Sequence, residues 1–186
     1  HIKRNIITVK KDEIKIKGPE EDINAFSYDI PGDISSSACF IALATVLHGS
    51  NLTINNILLN EKRLGFIHVL NSMGAKIKLK VDENRFGEDV GSVTVEGVKK
   101  LRGCVVPKHI IHSLIDEIPL LSLMCTLSKG RSRIEGLEEL RYKESDRLRG
   151  IEGILSSLGG KVNICDEALI IDGVKRLYYT NKISNY

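Results

Sequence analysis

The chain has 186 residues, of which 42% are hydrophobic and 27% are charged, and its formal net charge is +3. This composition is typical of a globular protein that buries a sizeable core. The small positive charge falls short of the basic excess typical of nucleic-acid-binding domains, so small anions are the expected partners. The sequence contains no apolar run of about eighteen residues and no apolar segment behind its charged N-terminus, so neither a membrane span nor a secretion signal is predicted.

The cysteines indicate a reducing compartment. Cys39, Cys104, Cys125 and Cys165 lie far apart, without the C-x-x-C spacing of many metal and redox sites. Three of the four fall within apolar runs, where a cysteine behaves as a small core residue. The pattern predicts reduced thiols and a cytoplasmic location.

The N-terminal segment is predicted to form a β-hairpin. Its two strands are expected at residues 6–10 and 13–17, followed by a polar loop at 18–22. The segment has no counterpart in the rest of the chain, so residues 1–29 are interpreted as the end of a preceding domain.

An internal repeat organises the remainder of the chain. Residues 69–77 (VLNSMGAKI) are echoed by residues 154–162 (ILSSLGGKV), at an offset of 85 residues from Gly74 to Gly159. Upstream, the apolar run 38–47 is matched by 119–127. A period this long predicts two copies of an α/β module rather than a short-repeat solenoid.

Each copy shows the same order of elements: a strand, an apolar helix, a strand, an amphipathic helix and two closing strands. The first helices open at Asp33 and Asp116, and we expect them to be buried because they are apolar on nearly every side. The amphipathic helices are predicted to end at Gly74 and Gly159. The remaining predicted strands are 52–54, 76–80 and 92–96 in the first copy, with 81–91 as a loop, and 132–134, 161–165 and 168–171 in the second.

The densest charge lies at residues 138–147 (EELRYKESDR), before and within the start of the second amphipathic helix, for which Ser145 is the expected N-cap. Lys143 and Arg147 would oppose the helix dipole, which favours anions at an N-terminus. With the free N–H groups of the first turn, they would attract a phosphate or carboxylate. The alternative is that Lys143, Glu144, Asp146 and Arg147 neutralise one another on a solvated surface. The pattern alone leaves both interpretations open.

Three other side chains are candidates for chemistry. Asp116 would act either as a helix cap or as a general base, and position alone favours the cap, as it does for Asp33. His109 and His112 are three residues apart, but without a third ligand they are interpreted as ordinary histidines. The sequence has no G-x-G-x-x-G, Walker or nucleophile-elbow motif, so no nucleotide cofactor and no metal ion is predicted.

Residues 140–147 (LRYKESDR) resemble the L-R-x-K-E-S-D-R signature of the 5-enolpyruvylshikimate-3-phosphate synthase family. The segments 30–38 (IPGDISSSA), 114–119 (LIDEIP) and 73–75 (MGA) follow the family's order and spacing. The resemblance implies a mixed α/β (α+β) fold of two domains, each built from three βαβαββ units. The expected division is the end of the first domain at 1–29, two units of the second domain at 30–100 and 101–175, and the start of the remainder at 176–186.

The resemblance also implies a function. The family transfers the enolpyruvyl group of phosphoenolpyruvate to the 5-hydroxyl of shikimate 3-phosphate, without a metal or organic cofactor. By resemblance, Asp116 is the proton acceptor near the shikimate hydroxyls and Glu144 is a proton donor. Lys143 and Arg147 bind substrate, and Glu139 lies near shikimate 3-phosphate. This reverses the preference for capping at Asp116, although the two roles are compatible.

Several family motifs are absent from the sequence, including the N-terminal Lys-Ser pair and Asp-His-Arg. We therefore expect the chain alone to be inactive. Separately, its parent protein is expected to be a monomer with no membrane partner. One alternative is a UDP-N-acetylglucosamine enolpyruvyl transferase, which the K-E-S-D-R run disfavours. The other is a non-catalytic nucleic-acid-binding module, which a 5% aromatic content disfavours. Its basic face would comprise Lys3, Arg4, Lys10, Lys11, Lys15 and Lys17.

Overall fold

The structure is a computed structural model that describes residues 7–18, 25, 27–142 and 145–178. The N-terminal hairpin is confirmed: β1 (Ile7–Lys10) pairs antiparallel with β2 (Glu13–Ile16). On the basic side of this hairpin, the ammonium group of Lys15 lies 3.4 Å from the carboxylate of Glu13. Part of the positive charge proposed for nucleic-acid binding is therefore neutralised locally.

The first repeated unit contains two helices and a three-stranded sheet. Its sheet has the order β3-β5-β4, and Gly32 adds an isolated parallel bridge to Ile57 at the free edge of β3. This bridge stands where the leading strand was predicted. The elements in chain order are α1 (Ile34–Val46), β3 (Asn51–Leu58), a 3-10 helix (Glu61–Arg63), α2 (Gly65–Ser72), β4 (Lys76–Arg85) and β5 (Glu88–Glu96).

The second unit has the same strand order. Its four-stranded sheet runs β6-β7-β9-β8, with β6 parallel to β7 and the other pairs antiparallel. The repeated βαβαββ unit is thus confirmed in topology. The elements are β6 (Val105–Val106), 3-10 helices at Lys108–Ser113 and Ile115–Glu117, α3 (Ile118–Thr126), β7 (Arg131–Ile134), a 3-10 helix (Glu138–Arg141), α4 (Arg147–Ser157), β8 (Lys161–Cys165) and β9 (Ala168–Asp172).

The duplication extends to individual backbone hydrogen bonds. In the first unit, the N–H of Val98, just after the last strand, donates to the carbonyl of Thr45 in α1 at 2.9 Å. In the second unit, the N–H of Val174 donates to the carbonyl of Thr126 in α3, also at 2.9 Å. In each unit, therefore, a hydrogen bond joins the end of the last strand to the C-terminal end of the first helix.

The helix ends at Gly74 and Gly159 are confirmed. Gly74 has φ +98° and Gly159 has φ +77°, in the left-handed region that a side chain disfavours. The N–H of the following residue bonds back to the last turn in both cases, from Ala75 to Leu70 at 2.9 Å and from Gly160 to Leu155 at 2.8 Å. These bonds satisfy carbonyls that would otherwise be orphaned where α2 and α4 stop.

The prediction of a loop at residues 81–91 is wrong. Strands β4 and β5 continue through this stretch, and only Phe86 and Gly87 form the turn. Asn84 supports that turn, since its amide donates to Asp89 at 2.8 Å and its carbonyl oxygen accepts from the N–H of Gly87 at 2.9 Å. The exposed hairpin end has no core face, so it lacks the apolar alternation by which strands are identified in sequence.

Both units share one core, in which α1 contacts α3 and α3 contacts α4. Ile41, Ile118 and Leu121 are completely buried there. The prediction that α1 is buried on every side is nevertheless wrong. Phe40 and Leu43 on one face of α1, and Leu47 at its C-cap, are 64%, 55% and 52% exposed, because no described residue covers that face. We call these three residues the α1 stripe.

Two glycine substitutions test the packing. A Cβ at Gly91 in β5 would lie 1.9 Å from the carbonyl oxygen of Lys80 in β4, so Gly91→Ala should push the strands apart and cost about 1–3 kcal/mol. A Cβ at Gly150 in α4 would meet nothing within 4 Å, so Gly150→Ala should raise the free energy of unfolding by about 0.5–1 kcal/mol. Urea unfolding measures both. Equal effects of the two substitutions would contradict the close approach at Gly91.

Candidate functional site

A small, open cleft lies between the first turn of α1 and the 3-10 turns that precede α3. It is therefore built jointly by the two repeated units. One side comes from the first unit and the other from residues 112–117 of the second. Its polar walls are Ser35, Arg63, His112, Ser113, Asp116 and Glu117.

Asp33 organises the first-unit wall and is the N-cap of α1, as predicted. Its carboxylate accepts a 2.9 Å hydrogen bond from the N–H of Ser36, and Arg63 lies 3.4 Å from its other oxygen. Arg63 also donates to the hydroxyl of Ser35 at 2.6 Å. Partial burial alone would raise the pKa of Asp33, but the hydrogen bonds from Ser36 and the charge of Arg63 outweigh it and lower that pKa.

Close packing holds the second-unit wall against the first unit. A Cβ at Gly65, the first residue of α2, would lie 2.1 Å from the Ser113 hydroxyl and 2.8 Å from the Leu114 side chain. Leu114 is 1% exposed and thus anchors this segment in the core. The absence of a side chain at Gly65 therefore lets the segment that leads to Asp116 and Glu117 approach α2 of the first unit.

Asp116 lines the cleft with an exposed side chain. It belongs to the 3-10 turn that precedes α3, two residues ahead of the first residue of that helix. Glu117 occupies the N-cap position, and no side chain caps the helix there. The interpretation of Asp116 as a cap is therefore wrong, because the intervening 3-10 turn displaces its carboxylate from the helix end.

Glu139 lies on a short, well-anchored 3-10 helix. Leu137 and Leu140 are 0% and 2% exposed and fix this turn in the core, which leaves Glu139 on the exposed side. At the start of the turn, Lys108 donates a hydrogen bond to Glu138 and lowers the pKa of that carboxyl group. Glu139 makes no side-chain hydrogen bond or ion pair with the described residues.

The start of α4 differs from the prediction. Asp146, not Ser145, is the N-cap, and its carboxylate accepts a 3.1 Å hydrogen bond from the N–H of Arg149. The Arg149 guanidinium lies 3.5 Å from the same carboxylate. Asp146 thus obtains both its backbone donor and its countercharge from Arg149, three residues along the helix.

This arrangement leaves Arg147 without a partner among the described residues. It is the first residue of α4, it is exposed, and it forms no hydrogen bond or ion pair with any residue that the structure describes. Arg147 therefore contributes a positive charge to the first turn of α4, and the free N–H groups of a helix N-terminus suit an anionic ligand. Lys143 and Glu144, the other charged residues predicted for this site, lie outside the described residues.

The structure brings together residues that the sequence did not associate. Of the predicted site residues, Asp116 lines the cleft, whereas Glu139 and Arg147 do not. Sequence reasoning missed Arg63 and Glu117. Glu117 could have been identified as a candidate from its position directly after Asp116. Arg63 is 53 residues away from Asp116, and only the packing of the two units reveals that both line one cleft.

Neither histidine forms a metal site with other described residues. His109 and His112 share a 3-10 helix, and only His112 reaches the cleft. Within ranges 7–18, 27–142 and 145–178, no group of three His, Cys, Asp or Glu side chains is arranged to hold a metal ion. All four cysteines are unpaired thiols. None of the helices in these ranges has the length and apolar character needed to cross a membrane.

Comparison with known families gives a match over nearly the whole chain. The family model for EPSP synthase (3-phosphoshikimate 1-carboxyvinyltransferase) matches residues 1–185. The chain belongs to the EPSP synthase family. The match includes the signature segment at 140–147 as well as both repeated units.

Relatives and solved structures extend this result. A 3-phosphoshikimate 1-carboxyvinyltransferase from Caldicellulosiruptor bescii is 37% identical across 100% of the chain, and one from Synechocystis sp. is 42% identical across 77% of it. The chain covers 43% and 32% of the lengths of these two EPSP synthases. A solved EPSP synthase from Acinetobacter baumannii superposes with a TM-score of 0.83 and 26% identity, over 92% of this chain and 38% of that one.

Asp33 provides a pH-dependent test of the first-unit wall. Asp33→Ala should lower the free energy of unfolding at pH 7 by about 1 kcal/mol, because the cap is lost. Asp33→Asn keeps the cap and removes only the charge. Since the folded-state pKa of Asp33 is lowered, the advantage of wild type over Asp33→Asn is present above the unfolded-state pKa.

That advantage should disappear as the pH falls through the lowered pKa of the folded state. Urea unfolding of both proteins between pH 7 and pH 2 measures it. A difference that is constant over this range would show that the Asp33 charge is not coupled to Ser36 and Arg63.

Proposed function

We propose that this chain forms part of an enzyme that transfers the 1-carboxyvinyl group of phosphoenolpyruvate to the 5-hydroxyl of shikimate 3-phosphate, releasing phosphate. The observation that carries the proposal is the family match over residues 1–185. The geometry supports it, because the fold provides a cleft lined by carboxylates and, at a helix N-terminus, an arginine that no described residue pairs. Carboxylates suit the hydroxyl groups of shikimate 3-phosphate, and the cation suits the phosphate or carboxylate of phosphoenolpyruvate.

Asp116 is proposed as the proton acceptor for the attacking hydroxyl. A general base must be accessible to the substrate, and Asp116 is exposed within the cleft rather than used as a helix cap. The reaction adds the hydroxyl oxygen to phosphoenolpyruvate and then eliminates phosphate. The hydroxyl therefore loses its proton as the new C–O bond forms, and a carboxylate beside it can accept that proton.

Arg147 is proposed to bind phosphoenolpyruvate. Its guanidinium offers paired N–H donors that match a phosphate or a carboxylate, and the adjacent helix N-terminus adds favourable electrostatics. Lys143 is proposed as a second cation for substrate and Glu144 as the proton donor to the methylene carbon. Glu139 is proposed to lie near shikimate 3-phosphate. The mechanism requires no metal ion or organic cofactor.

The wider organisation is also a proposal. Residues 1–29 would end one domain, 30–100 and 101–175 would be two units of the next, and 176–186 would begin the remainder. The exposed α1 stripe supports this division, because an apolar helix face is expected to pack against a further part of the fold. We also propose a monomeric parent protein located in the cytoplasm, in keeping with a small-molecule biosynthetic reaction.

Calorimetric titration tests the substrate assignments on the chain itself. Arg147→Ala should weaken phosphoenolpyruvate binding by at least about 10-fold, because a charge-assisted hydrogen bond contributes about 1.5–3 kcal/mol. Asp116→Asn should weaken shikimate 3-phosphate binding by about 10-fold for the same reason.

Arg149→Ala is the matched control for Arg147→Ala. It removes an equal charge from the same exposed turn, but Arg149 is already paired with Asp146. Phosphoenolpyruvate affinity should therefore be unchanged in Arg149→Ala. Equal losses in the two variants would indicate non-specific attraction, and no binding by wild type would contradict a preformed half-site at Arg147.

Turnover is a separate prediction. Catalysis requires side chains that bind and enclose both substrates. The sequence lacks two of the family's motifs, Lys-Ser and Asp-His-Arg. Phosphate release by the chain alone, with both substrates present, should be at background level. A rate comparable to that of a complete family enzyme would show that these motifs are dispensable.

A further inference from the structure

Glu117 is a buried carboxylate in the wall of the cleft. Its exposed fraction is 7%, and it lies next to Asp116 in the same 3-10 turn. It is the only acidic residue that is buried among those the structure describes. A buried carboxylate normally has a countercharge or hydrogen-bond donors, because desolvation of an unpaired charge is costly.

The structure provides Glu117 with no such partner. Its side chain forms no hydrogen bond or ion pair with the described residues, and it does not cap α3, although Glu117 occupies the N-cap position. Neither carboxylate oxygen is among the completely enclosed, unbonded atoms, of which Arg141 Nε is the sole example in the described ranges. The carboxylate of Glu117 is therefore enclosed on most sides and retains access to the cleft that it lines.

The nearest candidate for a countercharge is already engaged. Arg63 lines the same cleft, but its guanidinium donates to Ser35 and pairs with Asp33 across the first-unit wall. With Asp33 neutralised in this way, the second-unit wall presents the carboxylates of Asp116 and Glu117 to a ligand. Two adjacent carboxylates repel a phosphate or carboxylate group, whereas they accept hydrogen bonds from neutral hydroxyl groups.

We propose that Glu117 is a second substrate-binding carboxylate, which accepts a hydrogen bond from a ring hydroxyl of shikimate 3-phosphate beside the one bound by Asp116. This inference rests on the proposed function and adds a residue to it. A hydroxyl group of the bound substrate then supplies the hydrogen-bond donor that Glu117 lacks among the described residues. Glu117 is thus preorganised for an alcohol, at the expense of stability in the ligand-free chain.

The test compares Glu117→Gln with wild type, with Asp116→Asn and with the control Glu88→Gln, which neutralises an exposed carboxylate outside the cleft. Calorimetry with shikimate 3-phosphate and with its 4-deoxy and 5-deoxy analogues gives the affinities. Glu117→Gln should weaken shikimate 3-phosphate binding by about 10-fold and abolish the response to removal of one of the two hydroxyls. Phosphoenolpyruvate affinity should not change.

Thermal unfolding of the ligand-free chain provides a second, independent readout. Glu117→Gln removes an unpaired buried charge at nearly constant volume, so the melting temperature should rise or stay the same. A lower melting temperature would show that the Glu117 carboxylate stabilises the folded chain, and this would overturn the proposal. Glu117→Asp, which retains the charge but withdraws it by one methylene group, should also weaken binding.

The outcomes separate this inference from the proposed function. If wild type binds shikimate 3-phosphate and Asp116→Asn weakens that binding while Glu117→Gln does not, the inference on Glu117 fails and the proposed function stands. If wild type binds neither shikimate 3-phosphate nor its analogues, the proposed function of the cleft fails, and the role of Glu117 fails with it.

Discussion

The packing of α1 against α3 within one continuous core is the constraint on which the candidate site depends. Each helix is the first of its repeated unit, and each begins beside the cleft, α1 after its cap Asp33 and α3 after Glu117. Beside the cleft, the Lys108–Ser113 3-10 helix lies close to α2, and this approach requires Gly65, since a side chain there would meet Ser113. The cleft is therefore a product of duplication: two copies of one module pack so that their helix N-termini meet.

Local pairing determines which charges remain available for ligands. Asp33 is satisfied by Ser36 and Arg63, and Asp146 is satisfied by Arg149, so neither carboxylate competes for substrate. Arg147 keeps its charge unneutralised by any described side chain. Asp146 pairs with Arg149 instead, as the N-cap of α4.

Much of the fold could be predicted from the sequence because its signals are local. Gly74 and Gly159 mark the ends of two helices, because glycine readily takes positive φ. The amphipathic spacing of Leu148, Ile151 and Leu155 marks the buried face of α4. The failures have a common cause. The exposed end of the β4-β5 hairpin has no core face to impose alternation, and the open α1 stripe depends on which surfaces happen to be covered rather than on the helix itself.

The sequence by itself determined the repeated unit, the cap at Asp33 and the signature that indicates the family, because each depends on neighbours within a few residues or on recurrence along the chain. Only the tertiary structure decided that Arg63 faces the same cleft as Asp116, that Arg149 rather than Arg147 neutralises Asp146, and that Glu117 is buried without a partner among the described residues. Partner choice among charged side chains depends on distance and burial in three dimensions, and these follow from how the two units pack.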